Sequence, residues 1–250
     1  VRTILLDADI LVYECAHRAQ TSIHWDEEAT VTADFPGAQL DFRLTVRSII
    51  QEVGADSVVV VLSEDDREVN FRREIWDGYK RKREGAKATP RPVLFAAIRE
   101  WIEETYDPKI KHGIEGDDTI GILATLPSRA DLDQVICSID KDMLTVPGSH
   151  YNWRKPELGV FEVTEEEAHY NHMLQTLMGD STDGYPGCPT IGAKRAAKVL
   201  ADGATWERVV EVFESKGLTE ADALIQARCA RILQASDYNF ETEEVILWEP

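Results

Sequence analysis

Apolar residues along this chain come in short β-branched runs, each followed at once by acids. TILLDAD (3–9), SVVVVLSEDD (57–66) and DQVICSIDKD (133–142) share that form. A short run without polar alternation is the pattern of a parallel strand buried on both faces. Between the runs the spacing becomes helical, in ILVYECAHRA, PVLFAAIREWIEETY (92–106) and EGDDTIGILATL (115–126). Apolar strands alternating with amphipathic helices predict an α/β fold, with a mainly parallel central sheet flanked by helices.

Past residue 148 the pattern changes. HYNWR and LGVFEV predict a hairpin around KPE. TEEEAHYNHMLQTLMG opens on a capping box, Thr164 with Glu167, and continues as an amphipathic helix. The Gly and Pro of GDSTDGYPGCPT forbid a helix until about Ile191. AKRAAKVL, ATWERVVEVF and TEADALIQARCARILQA then read as three further helices. The expected organisation is an α/β core over 1–163, with a basic segment at 64–92, and a C-terminal helical region over 164–250.

Composition narrows the class. A chain of 250 residues can bury a sizeable core, and 43% hydrophobic residues is too many for disorder. No apolar run is long enough for a transmembrane span or a signal peptide. Cys15, Cys137, Cys188 and Cys229 are scattered, with no CxxC. They read as reduced thiols of a cytoplasmic protein. The net charge of −19 argues against a polyanionic partner. Yet residues 70–91 carry eight Lys or Arg against three acids, and Lys194, Arg195 and Lys198 form a second basic group. Local basic patches on an acidic chain suit a groove that grips a polyanion in one place.

The acids carry the candidate chemistry. LLDAD (Asp7, Asp9), EGDD (Glu115, Asp117, Asp118), SIDKD (Asp140, Asp142) and GDSTD (Asp180, Asp183) pack carboxylates that repel one another unless a cation holds them. Hard oxygen donors without paired Cys or His point to Mg²⁺ or Mn²⁺. Three acidic groups follow predicted strands, which puts them on one edge of the sheet, where open α/β folds bind ligands. Two ions about 3.5–4 Å apart can stabilise both oxygens of a phosphodiester displacement. Adjacent Asp117 and Asp118 point about 100° apart on a helix, so one of them faces the metal. Phe71, Trp76 and Tyr79 interleave with the cations of the basic segment, as base-stacking aromatics do. The glycines of GYPGCPTIGAKRA allow a phosphate backbone close to main-chain amides. His169 and His172 read as structural, and no His accompanies Ser138, which argues against a serine nucleophile.

In this order the motifs resemble the flap-endonuclease family of 5′ nucleases, most closely its bacteriophage 5′–3′ exonucleases, over about residues 3–249. The resemblance implies a PIN/5′-nuclease-like core and a helix-hairpin-helix-like element at about 180–201. It implies that Asp7, Glu115, Asp117, Asp118 and Asp140 serve one ion, and Asp142, Asp180 and Asp183 the other. The family's acid after the second strand has three candidates, Glu64, Asp65 and Asp66, with Glu64 favoured. Arg72, Tyr79, Lys80 and Arg83 match the arch that draws in the scissile phosphate, with Arg73, Arg81 and Lys82 as further DNA contacts. Gly187, Thr190, Gly192, Lys194, Arg195 and Lys198 match the element that grips duplex backbone, where relatives can bind K⁺ through loop carbonyls. Thr190 stands where relatives often have glycine.

The implied activity is metal-dependent hydrolysis of DNA from 5′ ends, nicks or flaps, in replication or recombination. It leaves 5′-phosphates and extends to RNA–DNA hybrids. The implied protein is a monomer, in the host bacterial cytoplasm if phage-encoded. Two alternatives stay open: a PIN-type ribonuclease, and a non-catalytic duplex-binding protein with a structural metal.

Overall fold

The structure is a computed structural model that describes residues 1–25, 28–81, 90–129 and 131–250. Its centre is a five-stranded sheet. Strand β1 (Arg2–Asp7) leads into α1 (Ala8–Arg18), a hairpin of β2 (Gln20–Trp25) and β3 (Glu28–Ala33), and α2 (Phe35–Val53). The chain returns as β4 (Ser57–Val61), beside β1 and parallel to it. Helices α3 (Arg72–Ile75), α4 (Phe95–Tyr106) and α5 (Gly116–Ala124) precede β5 (Asp133–Cys137), which pairs with the other side of β1. β6 (Gly148–Tyr151) continues in parallel, and β7 (Phe161–Val163) closes the edge antiparallel, giving the order β4-β1-β5-β6-β7.

Alternate strand residues point to opposite faces, so both faces must be covered. Ile4, Leu6, Val60, Val135 and Cys137 pack with Leu11 of α1, Phe42 of α2 and Ile98 of α4. Leu5, Val61 and Ile136 face the other way, against Ile120 of α5, Met143, Val146 and Ile232. This explains why the strands read as unbroken apolar runs. The predicted hairpin is the β6–β7 pair. The segment 20–53, for which the sequence pattern assigned no element, forms β2, β3 and α2.

The C-terminal region has a core of its own. Helices α6 (Glu165–Met178), α7 (Ala193–Val199), α8 (Trp206–Glu214) and α9 (Glu220–Ala230) enclose Met173, Leu177, Val209, Phe213 and Ala223. Both capping-box bonds of Thr164 and Glu167 are made at the start of α6. The last helix is shorter than its pattern. Periodicity extends to Ala235, but Arg231 is extended and α9 stops at Ala230. Ile232 and Leu233 instead run under α5, where Leu233 N donates to Asp118 Oδ1 at 3.0 Å. Gly121 permits that passage, since a Cβ there would lie 2.3 Å from the Leu233 carbonyl oxygen. All four cysteines are buried and free. Among the described residues no helix is long and apolar enough to cross a membrane.

Candidate active site

At their C-terminal ends the parallel strands β1, β4 and β5 deliver Asp7, the Ser63–Glu64 turn and the Ser138–Asp140 turn to one edge of the sheet. Helix α5 begins at the same edge with Glu115 as its N-cap. The loop after α6 adds Asp180 and Asp183. A cavity of about 440 Å³ opens there, lined by Asp7, Asp9, Glu64, Glu115, Asp117, Asp140, Asp142, Asp180 and Asp183, with Tyr79, Lys80 and Lys141 among them. Eight of the nine expected carboxylates therefore share one chamber.

Most are tethered by a donor of the protein. Ser138 Oγ donates to Asp7 Oδ2 at 2.7 Å and accepts from Asp140 N at 3.0 Å, so one hydroxyl spaces the acids of β1 and β5. Asp140 Oδ1 accepts from Asp142 N at 2.9 Å, and Asp142 Oδ1 from Gln175 Nε2 at 2.9 Å. Asp180 Oδ1 accepts from the amides of Thr182 and Asp183. Asp9 accepts from Ser63 N at 2.8 Å, and Arg99 lies 3.6 Å from it. Glu115 accepts from Tyr79 OH at 2.9 Å and from Lys80 Nζ at 2.5 Å. Lys80 holds a positive φ of 53°, and its amide donates to Asp183 O at 2.6 Å. Trp76 Nε1 bonds Gly184 O at 2.9 Å. The base of the basic segment is thus clasped to the loop that carries Asp180 and Asp183.

The electrostatics of the chamber divide in two. Burial, then Asp9 and Asp140, push Asp7 up to about 7. Burial, then Asp7, Asp140 and Glu115, push Asp117 well above the carboxylate range. Asp142 rises to about 6 through burial and Asp140. Burial also pushes Glu115 up, but Lys80 and Arg72 outweigh it and hold its carboxyl down at about 2. One side of the chamber is short of positive charge, and the other is supplied by Lys80.

All-oxygen, mutually repelling donors fit a hard divalent cation. Among the described residues no three of these groups yet converge closely enough to cage an ion. Most of them are turned toward a tether within the protein.

A pH dependence follows for the metal-free protein. Asp7 has a folded value of about 7 against an ordinary 3.8. The unfolded chain releases that proton first, so stability falls as pH rises from about 4 to about 7. Asp142 adds to the loss up to about 6. Glu115 has the opposite sign: its contribution is present above its ordinary 4.5 and is lost as pH falls toward 2. Urea melts in EDTA should therefore show greatest stability at about pH 4–5. Mg²⁺ should restore neutral-pH stability by binding the folded state. Melts at neutral pH that ignore Mg²⁺ would refute this account.

Several expected site residues do other work. Asp118 does not line the cavity. It is fully buried and takes both ends of the Arg72 guanidinium, at 2.7 and 2.6 Å. Arg72 is itself buried and also donates to the carbonyls of Cys229 and Arg231. Neither is placed to meet an ion or a scissile phosphate. Their pair ties α3 and α5 to the end of α9. The interleaved aromatics expected to stack on bases are likewise engaged within the protein. Tyr79 is 2% exposed, Trp76 is bonded to Gly184, and Phe71 lies under Arg72 at 4.5 Å.

Gly187 is corrected too. Its amide, expected to meet DNA, donates to Gln226 Oε1 at 2.8 Å, and a Cβ there would strike Gly179 N. This glycine exists to let two segments touch. Gly192 is the exposed N-cap of α7, and Lys194 and Lys198 are exposed beyond it. Arg195 donates to Thr190 O at 2.7 Å.

Thr190 holds φ 68°, a left-handed conformation costly for a β-branched residue. Thr190→Gly should raise unfolding free energy by about 0.5–1 kcal/mol, read by urea melts.

Glu64 lies at the rim, 3.2 Å from His112. Asp65 pairs with Arg91, and Asp66 accepts from Glu68 N. All three line the cavity. Arg73 bonds Glu68, and Arg81 pairs with Glu68 and Asp77. Lys82 and Arg83 lie outside the described residues. His172 is buried, with burial pushing it down to about 3, and its ring shares a hydrogen bond with Ala227 O, as a structural histidine's would.

Sequence reasoning set Ser138 aside as no nucleophile and passed over its spacing role. The same reasoning overlooked Arg99, Gln175 and the ammonium of Lys141. The visible signals were Ser138, two residues before Asp140, and Lys141, between Asp140 and Asp142.

A family model for the N-terminal resolvase-like domain of 5′–3′ exonucleases matches residues 2–173. The chain belongs to the 5′–3′ exonuclease family. It is 29% identical to the exodeoxyribonuclease of enterobacteria phage T3, over 99% of this chain and 92% of that protein. It is 28% identical to the exonuclease of Escherichia phage T7, over 99% and 93%. Its fold matches the bacteriophage T5 flap endonuclease, solved as a pseudo-enzyme–product complex with DNA and metal ions. The TM-score is 0.64 at 15% identity, covering 91% of this chain and 88% of that one. The family model thus spans the strands, α5 and most of α6, the elements that place all the cavity acids except Asp180 and Asp183.

Proposed function

We propose that this member of the family hydrolyses phosphodiester bonds of DNA from 5′ ends, as a 5′–3′ exonuclease or flap endonuclease. The observation that carries the reading is the single cavity that gathers acids from three parallel strands, α5 and the 180–183 loop around Lys80 and Lys141. In this reading Asp7, Asp117, Asp140 and Asp142, with Asp180 and Asp183, hold two Mg²⁺ or Mn²⁺ ions, and Glu64 stands at the rim. Such ions supply Lewis acidity and a more acidic water at the phosphate. Lys80, fixed by Glu115 and the Asp183 carbonyl, offers a preorganised positive charge to the non-bridging oxygens. Tyr79 holds Glu115, and Ser138 keeps Asp7 and Asp140 in register. Arg73 and Arg81 draw the strand in from one side, and Lys82 and Arg83 follow them in sequence.

The helical region 164–250, with Lys194, Arg195 and Lys198 in its element at about 180–201, grips duplex backbone on the other. A K⁺ ion at this hairpin would compete with Arg195 for the Thr190 carbonyl. The reading extends to RNA in RNA–DNA hybrids and to a monomer at work in a reducing cytoplasm, which suits four buried free thiols.

The test is cleavage of 5′-labelled duplex, nicked and flap DNA in Mg²⁺. Short 5′-phosphorylated products are expected, and their lengths separate exonuclease from flap activity. Full activity in excess EDTA would falsify the metal-dependent reading. Cleavage confined to single-stranded RNA would favour a PIN-type ribonuclease instead. Tight duplex binding without cleavage would favour a non-catalytic protein.

A further inference from the structure

Among the described residues, two ammonium groups stand among the cavity's carboxylates, and they are held differently. Lys80 Nζ lies 2.5 Å from Glu115 Oε1, with its side chain mostly buried. Lys141 Nζ lies 3.7 Å from Asp142 Oδ1 and 3.7 Å from Asp180 Oδ2, with its side chain 66% exposed. Those distances exceed hydrogen-bond length, so the bridge is a loose, solvent-screened ion pair of small worth. The acids it spans are not loose. Gln175 Nε2 fixes Asp142, and the amides of Thr182 and Asp183 fix Asp180. Fixed anions bridged by a mobile cation make a position where the cation can be exchanged.

We propose that Lys141 is the displaceable counter-ion of the Asp142–Asp180 pair: it holds that position until a divalent ion takes it, and then turns to the DNA phosphate. This rests on the reading of the cavity as a divalent-cation site. The backbone suits the exchange. Lys141 opens the short helical turn Lys141–Thr145, between Asp140 and Asp142, so its stem is anchored at the cavity mouth. A flexible four-carbon stem moves the charge by several ångströms without moving that anchor. Two outcomes follow. The lysine raises the divalent concentration needed to fill the site before DNA arrives. It contributes a phosphate contact once the site is filled.

The test titrates Mn²⁺ into the full chain without DNA, reading free Mn²⁺ by electron paramagnetic resonance. The proteins are wild type, Lys141→Met, Lys141→Arg, and Lys155→Met, which removes one exposed charge outside the cavity. The weaker Mn²⁺ site should tighten about three- to tenfold in Lys141→Met and stay unchanged in the other two. With Ca²⁺ present, the salt dependence of duplex binding should fall by about one unit of slope in Lys141→Met alone. Thermal melts of the variants in EDTA check that the fold is kept. Mn²⁺ affinity unchanged or weakened in Lys141→Met would overturn the counter-ion role. An unchanged salt slope would overturn the transfer to phosphate. A wild-type chain that binds no Mn²⁺ would sink the divalent-site reading, and this proposal with it.

Discussion

An Asp117→Asn variant should lose nuclease activity by about 100- to 1,000-fold and yet, free of metal at neutral pH, be more stable than its parent. Asp117 faces the cavity, and burial with the neighbouring charges of Asp7, Asp140 and Glu115 disfavours its ionised form. Asparagine keeps the shape and cannot ionise. The variant therefore loses the repulsion that the folded parent bears above the ordinary carboxylate range. It also exchanges a hard anionic donor for a neutral carbonyl oxygen, which weakens a divalent site. Melts in EDTA would show the gain. The same melts in Mg²⁺ would show it shrink, because the ion stabilises the parent more. Cleavage at wild-type rate would remove Asp117 from the machinery, and a destabilised metal-free variant would refute the repulsion argument.

Asp118→Asn should do the reverse, costing about 3–5 kcal/mol of stability. The substitution leaves the Arg72 guanidinium buried opposite a neutral amide, after a bidentate pair at 2.7 and 2.6 Å. It also weakens the carboxylate's bonds to Leu233 N and Glu115 N. Loss of activity should follow loss of fold, and activity per folded molecule should fall far less than in Asp117→Asn. Denaturant unfolding beside cleavage at low temperature separates the two. Replacing both partners, as Arg72→Met with Asp118→Leu, should recover much of the stability, since an apolar pair leaves no uncompensated charge. A single variant within about 1 kcal/mol of wild type would show that the pair is not the brace described here.

These adjacent residues show how far a sequence reading reaches. EGDD at a helix start said that two acids diverge by about 100°, so that one faces the ligand. Which one does so depends on where α3 and the end of α9 lie. Arg72 belongs to a segment that reads as a basic, DNA-facing arch. Nothing local reveals that its side chain turns inward to carbonyls more than 150 positions away. Gly187 misled in the same way. A glycine that admits a phosphate and one that admits Gly179 look alike in sequence.

By itself the sequence determined the mainly parallel sheet, the alternation of its apolar strands with helices, and the acidic edge. Each is written in local patterns: unbroken apolar runs, helical spacing, and acids at the ends of strands. It also set the expectation of a hard cation, because donor chemistry is a property of residue type. Only the tertiary structure decided which acids face the cavity, that Ser138 and Gln175 hold them in place, and that Lys141 bridges Asp142 to Asp180. It also ended α9 five residues before its pattern does, so that Leu233 could reach Asp118. The reason is common to all of these. Periodicity states which face of an element is buried, whereas a charged side chain's role depends on the partner brought to it from elsewhere in the chain.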